Sequence, residues 1–249
     1  MGDLLFDSPW RIWRRHWTIR KQPRLFAETM VLLFLAMALP YAIINHLMNA
    51  IAWSAFDPGT TIDEKIPFVA WSFIIYLSLY LYYPAAAWFG RENDVRVREM
   101  FAFHQTLFIL TWMICLIFIF LPTEIHIRDH IPLEVRSGEG FWGFWYGDFM
   151  HSTDNPWNAW PSLHVVQSLL IVLVLRRWKI IYGIKEAFVW SAWIALCISI
   201  LTTKQHFIFD LATGIAVALI AWFWVFIPAL NATTNSKWIE LLPSDSSDE

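Results

Sequence analysis

Two histidines and one aspartate are the residues in this chain whose types and spacing can do chemistry. His206 and Asp210, within Thr203-Lys204-Gln205-His206-Phe207-Ile208-Phe209-Asp210, are four residues apart. On a helix they share a face, where a carboxylate holds an imidazole in one tautomer. His164, in Pro161-Ser162-Leu163-His164, lies some forty residues earlier and can meet them from another helix. A neutral imidazole so oriented is a nucleophile, and a second one is a general acid. Together they suit phosphoryl transfer, with His206 attacking, Asp210 supporting it and His164 protonating the departing oxygen. An aspartate facing a membrane interior is costly and therefore points to function.

The neighbouring residues suggest how the phosphate is held. Pro161 suits the first turn of a helix, whose leading N–H groups are unpaired, and Ser162 adds a hydroxyl donor. Thr202 and Thr203 are candidate caps for the next helix start, with Lys204 as a point charge. Two such starts facing each other make a phosphate cradle. Arg128 is a further candidate phosphate ligand; pairing with Asp129 or Glu134 in its own loop is the structural alternative. No cluster of hard-cation ligands is evident, so no metal and no cofactor are expected.

These residues must be positioned in lipid. The chain has 249 residues, 57% of them hydrophobic, with 17 Trp and 20 Phe, a composition outside that of ordinary soluble domains. Cys115 and Cys197 lie in apolar runs without Cys-x-x-Cys spacing, which signals neither zinc nor a disulfide framework. Spans of roughly twenty residues are expected near Glu28 to Leu47, Ile66 to Phe89, Met100 to Leu121, Ser162 to Leu175, Ile184 to Thr203 and Phe207 to Ala229. The fold class is thus all-α, a single polytopic domain of six transmembrane helices over residues 1–249. Its fourth span is short enough to begin below the membrane surface.

Fourteen of the 18 Lys and Arg fall in the amino-terminal segment, the second-to-third and fourth-to-fifth connections and the tail, leaving Lys65, Arg128, Arg136 and Lys204 on the other side. Both termini are therefore expected to be cytoplasmic, with both histidines on the outer or luminal face. Residues 1–25, where Trp10, Trp13 and Trp17 recur among arginines, read as an interfacial helix on anionic headgroups. Residues 230–249 read as a short cytoplasmic tail. The aromatic, glycine-rich connection from Pro122 to Trp160 is expected to lie in the interface. The partners implied are the bilayer and a phosphorylated lipid; nothing suggests nucleic acid, and oligomeric state is not legible.

Over about Trp157 to Gly214 the chain resembles the type 2 phosphatidic acid phosphatase superfamily of membrane lipid phosphatases and phosphotransferases. The family's Pro-Ser-Gly-His motif corresponds to Pro161-Ser162-Leu163-His164, with Leu for Gly. Its Ser-Arg, five residues, His, three residues, Asp motif corresponds to Ser199-Ile200, His206 and Asp210, with Lys204 able to stand in for the absent arginine. The Lys-to-Arg-Pro first motif is not found. These departures are more similar to the branch containing inositol phosphorylceramide synthase, where a Pro-Thr element with a nearby arginine, here Pro122-Thr123 and Arg128, follows the third span. The resemblance implies a phosphohistidine on His206, with His164 as acid, and a sphingolipid connection. Intramembrane His and Asp also serve proton-coupled transporters, and a non-catalytic lipid-binding homologue is a third reading. Phosphate release, ion flux, or lipid binding without turnover separates the three.

Overall fold

A computed structural model describes residues 7–244 of the chain; residues 1–6 of the expected interfacial segment and 245–249 of the tail lie outside the described residues. The described residues contain helices and no strand. In hydrocarbon a backbone can pair only with itself, so long apolar runs wind into helices. The elements are α1 (Arg11–Trp17), α2 (Arg24–Ile51), α3 (Thr61–Lys65), α4 (Ser72–Phe89), α5 (Asp94–Phe120), α6 (Leu163–Arg177), α7 (Ile184–Thr202), α8 (Ile208–Ala232) and α9 (Ser236–Leu241). Five of them, α2, α4, α5, α7 and α8, are long and apolar enough to cross a membrane. The expected fourth span, α6, has 15 residues and is only about 22 Å long.

α6 is the centre of the bundle. It packs on α8, α4, α7 and α5, and Val165 to Val172 are all buried. A helix surrounded on every side has no polar face to keep, which is why its sequence is apolar all round. Its closest partner is α8, and Gly214 is the reason. A Cβ on Gly214 would stand 3.1 Å from the Ser162 carbonyl oxygen and 3.1 Å from Val165 Cβ.

The segments that carry the excess of Lys and Arg meet at one end of the bundle. There Arg20 pairs with Asp94 at 2.7 Å and Arg177 with Glu99 at 2.8 Å. Trp17 Nε1 donates to the Pro243 carbonyl at 3.0 Å and Arg98 to the Leu242 carbonyl at 2.9 Å, tying α1 and α5 to the tail. One detail of α1 departs from expectation. Trp13 and Trp17 do not rest on headgroups but are buried against α5, with Trp13 stacked on Phe101 at 4.5 Å between centroids. A buried indole needs a hydrogen-bond partner, and Gln105 Oε1 accepts from Trp13 Nε1 at 3.0 Å. Arg11, Arg14 and Arg15 keep the outer face.

At the other end the connection after α5 is not a surface loop alone. It folds into short helical turns and buries Tyr146, whose hydroxyl donates to the Ala70 carbonyl at 3.1 Å. The Asn45 side chain of α2 exchanges hydrogen bonds with Asn155, donating to its carbonyl at 3.0 Å and accepting from its N–H at 2.8 Å. Here too α3 pins the start of α8. Buried Asp63 accepts from Ile208 N at 2.7 Å through Oδ1 and from Thr60 N at 2.9 Å through Oδ2.

Removing that carboxylate leaves two backbone donors unpaired, at a cost of about 1–3 kcal/mol. Asp63→Ala is therefore expected to lower the melting temperature of the detergent-purified protein, and Asp63→Asn, which keeps an acceptor, to lower it less. Equal melting of Asp63→Ala and the parent would refute the role.

Candidate active site

The structure brings His164, His206, Asp210 and Ser162 together where the starts of α6 and α8 meet. Asp210 occupies the first turn of α8, a favourable place for a carboxylate because the helix dipole is positive there. It is fully buried, and its Oδ2 accepts from Phe207 N at 2.9 Å and lies 3.3 Å from His206 Nδ1. His206 Nε2 in turn lies 3.0 Å from His164 Nδ1 and 3.2 Å from Ser162 Oγ. Beyond them, the Tyr76 hydroxyl of α4 reaches His164 Nε2 at 3.0 Å.

The direction of this chain follows from its acceptor end. An ionised carboxylate can only accept, so His206 Nδ1 carries a proton and donates to Asp210. In a neutral imidazole the other nitrogen is then an acceptor, so His206 Nε2 presents a lone pair. His164 Nδ1 must donate to it, which leaves His164 Nε2 to accept from the Tyr76 hydroxyl. Every tautomer is thus set by one buried carboxylate.

Two expected phosphate ligands are engaged elsewhere. Thr203 caps the end of α7 rather than the start of α8, its hydroxyl donating to the Ser199 carbonyl at 2.7 Å. A threonine at a helix end finds a free carbonyl one turn back, and that bond wins. Lys204 is buried, with backbone φ of 59°, and Nζ donates to the Asp63 carbonyl at 2.9 Å. Burial lowers the pKa of its ammonium, with the Asp63 carboxylate acting in the opposite direction. It is held beneath α3. At the start of α8, Asp63 and Asp210 likewise take the N–H groups of Ile208 and Phe207.

The start of α6 is different. Pro161 lies two residues before the first helical residue, Leu163, rather than in the first turn, Ser162 is the N-cap, and no side chain caps the helix. Its leading N–H groups remain donors without a helical partner. Of the two helix starts expected to face a phosphate, only this one keeps its leading donors uncapped.

Arg128 pairs neither with Asp129, which binds Arg136 at 2.6 Å, nor with Glu134. Its Nη1 donates to the Asp154 carbonyl at 2.7 Å and Nη2 lies 3.3 Å from Asp154 Oδ2, while its buried Nε has no partner among the described residues. Asp154 Oδ1 also accepts from the Tyr41 hydroxyl at 2.8 Å. No group of three or more His, Cys, Asp or Glu able to hold a metal occurs among the described residues.

Tyr76 escapes a reading based on motifs alone. Its signal was nonetheless in the sequence: Tyr76, Tyr80 and Tyr83 recur at helical spacing in a span that has no need of hydroxyls. Tyr83 anchors the layer below the site, donating to Gln167 Oε1 at 2.8 Å, while Gln167 donates to Thr111 at 2.9 Å.

No curated protein and no solved structure gives a significant match to the chain. The sequence profile of the PAP2 superfamily matches residues 27–224, which takes in α4 to α7, nearly all of α2, most of α8 and every residue of the histidine cluster. With that match extending over most of its length, the chain belongs to the PAP2 superfamily, a family of membrane phosphatases and phosphotransferases.

Proposed function

We propose that this protein is an integral membrane enzyme that removes or transfers a phosphate-bearing group on a lipid, through a phosphohistidine on His206. The observation that carries the proposal is the hydrogen-bond chain from Tyr76 to Asp210. It assigns a lone pair to His206 Nε2 and a proton to His164 Nδ1, hydrogen-bonded to each other at 3.0 Å; once substrate parts them, the one attacks phosphorus and the other meets the leaving oxygen. In the first step a bond forms between His206 Nε2 and phosphorus, the bond from phosphorus to the lipid oxygen breaks, and that oxygen takes the proton of His164. In the second step water or an alcohol returns a proton to His164 as its oxygen displaces the histidine. Hydrolysis and transfer differ only in that acceptor. The likeness to the inositol phosphorylceramide synthase branch favours a sphingolipid as acceptor.

The phosphate contacts we propose are Ser162, the leading N–H groups of α6 and Arg128, whose free Nε gives it a donor to spare. Lys204 and Thr203 support the site from behind. Charge stabilisation from preorganised donors of this kind replaces what a metal would supply. The distribution of Lys and Arg supports a site on the non-cytoplasmic side, with both termini in the cytoplasm and six crossings that include α6.

His206→Ala is expected to abolish turnover of a phosphorylated lipid by the detergent-purified protein, together with any acid-labile, radiolabelled phosphoenzyme. Asp210→Asn is expected to lower kcat by roughly 10⁴-fold, the loss seen when a triad carboxylate no longer sets the tautomer. Near-normal activity of a well-expressed His206→Ala protein would end the proposal.

Tyr76→Phe removes one buried hydrogen bond, worth about 1 kcal/mol, and leaves His164 Nε2 without its donor. We expect kcat to fall about fivefold at unchanged KM, with the loss shrinking on an ester whose leaving group needs no proton. A loss that is the same for good and poor leaving groups would mean that Tyr76 serves packing alone.

Sidedness is tested by impermeant thiol labelling of intact cells, where buried Cys115 and Cys197 give little background. Glu139→Cys should be labelled from outside and Ser236→Cys only after permeabilisation. The reverse pattern would put the histidines in the cytoplasm.

A further inference from the structure

A cavity of about 310 Å³ opens between α2, α4 and the start of α6, and His164 forms part of its wall. The rest of the lining is apolar apart from Tyr41, Tyr80, Tyr83 and Gln167: Met30, Leu33, Phe34, Met37, Ala38, Leu79 and Leu163. Along α2 it runs from Tyr41 down to Met30, a distance of about 16 Å at 1.5 Å per residue, which matches one hydrocarbon leaflet of about 15 Å. Phe34 and Tyr80 line it while remaining 57% and 63% exposed, so it is open sideways on the surface that lipid covers. Its volume lies at the small end of ligand pockets, enough for one chain rather than two. Tyr83 and Gln167, the polar groups on its inner side, satisfy each other at 2.8 Å.

The position of the histidines says which part of a lipid belongs there. His164 lines the cavity, whereas His206 and Ser162 do not. We infer that this groove holds one hydrocarbon chain of the alcohol that leaves phosphorus, bringing its ester oxygen to His164 Nδ1 while the phosphoryl group lies toward His206. The inference rests on the acid role proposed for His164 and goes beyond it by naming what is recognised: the lipid side of the scissile bond, by a single chain lying along α2. The phosphorus–oxygen bond breaks and the oxygen takes the His164 proton, so the released alcohol remains in the groove with its hydroxyl at His164. An acceptor alcohol in a transfer reaction enters by the same route.

Two measurements on the full-length, detergent-purified protein test this. The first is kcat/KM for phosphate release from n-alkyl phosphates of four to sixteen carbons. A value rising two- to fourfold per methylene and then levelling off is expected, because each buried methylene contributes about 0.8 kcal/mol. Ala38 is exposed, so Ala38→Trp can enter the upper groove without disturbing the core, and it should flatten the profile, lowering the twelve-to-four-carbon ratio at least tenfold. Leu35→Trp, one turn away on α2 and outside the lining, should keep the parent profile. The second measurement is crosslinking by a dodecyl phosphate with a diazirine at the chain end, mapped by peptide mass. Label on α2 and α4 that unlabelled dodecyl phosphate displaces and Ala38→Trp removes supports the groove.

A flat parent profile, an Ala38→Trp ratio equal to the parent's, or label elsewhere or undisplaced overturns it, even if His206-dependent turnover persists. Groove labelling as expected without phosphate release from any ester would instead overturn the catalytic reading and leave the chain site standing.

Discussion

The bond between Asp210 and His206 is the constraint on which the site depends. A carboxylate taken wholly out of water is costly unless charge or hydrogen bonds compensate it. Asp210 obtains that compensation from its position in the first turn of α8, from the Phe207 N–H at 2.9 Å and from the imidazole at 3.3 Å. Its other oxygen is left without a partner among the described residues, so the histidine bond cannot be given up cheaply. That is what makes the tautomer of His206 reliable. Through it the same carboxylate sets the tautomer of His164 and the role of Tyr76.

Keeping that chain intact requires α6 and α8 to stay in register. Gly214 allows the backbones to approach, and Asp63 with Lys204 fixes where α8 begins. The two acids at the start of α8 have different tasks. Asp63 terminates the helix against α3, and Asp210 serves the histidine. Under the proposed chemistry these two carboxylates disfavour an anion at the start of α8 and leave the uncapped start of α6, next to Ser162, to hold the phosphate beside His206.

Much of this was legible in the sequence, because the apolar runs have to be helices once they enter lipid and because the charge bias sorts the connections. The spans found at α2, α4, α5, α7 and α8 agree with the expected ones to within a few residues at most ends. The meeting of His164 with His206 and Asp210 was also readable, from the four-residue spacing and the placement of both motifs at span edges. What could not be read was how polar groups with several possible partners would choose among them. Thr203 prefers a carbonyl one turn back, Lys204 a carbonyl in α3, and Arg128 the carboxylate of Asp154 rather than that of Asp129. Trp13 and Trp17 pattern equally well for a headgroup surface and for the face of α5, and only the presence of Gln105 opposite an indole N–H decides. Apart from that of Thr203, such choices depend on contacts distant in the chain, to which local periodicity is blind.

His164 Nδ1 and His206 Nε2 are 3.0 Å apart, bonded directly to each other, whereas attack requires phosphorus itself to stand about 3–3.5 Å from the nucleophile. A phosphoryl group and a leaving oxygen do not fit into that gap, so under the proposed chemistry the pair is closed at rest and opens as substrate enters. His206 is the fixed member, with Asp210 on one ring nitrogen and its backbone N–H on the Ile200 carbonyl at 3.2 Å. His164 has the cavity on one side, and its outer nitrogen is tied only to the Tyr76 hydroxyl. Under the proposed chemistry it is therefore His164 that yields, turning toward the proposed chain groove, so that the hydrogen bond it surrenders to His206 is replaced by one to the ester oxygen. Acid and leaving group are then brought into contact by the same motion that uncovers the nucleophile.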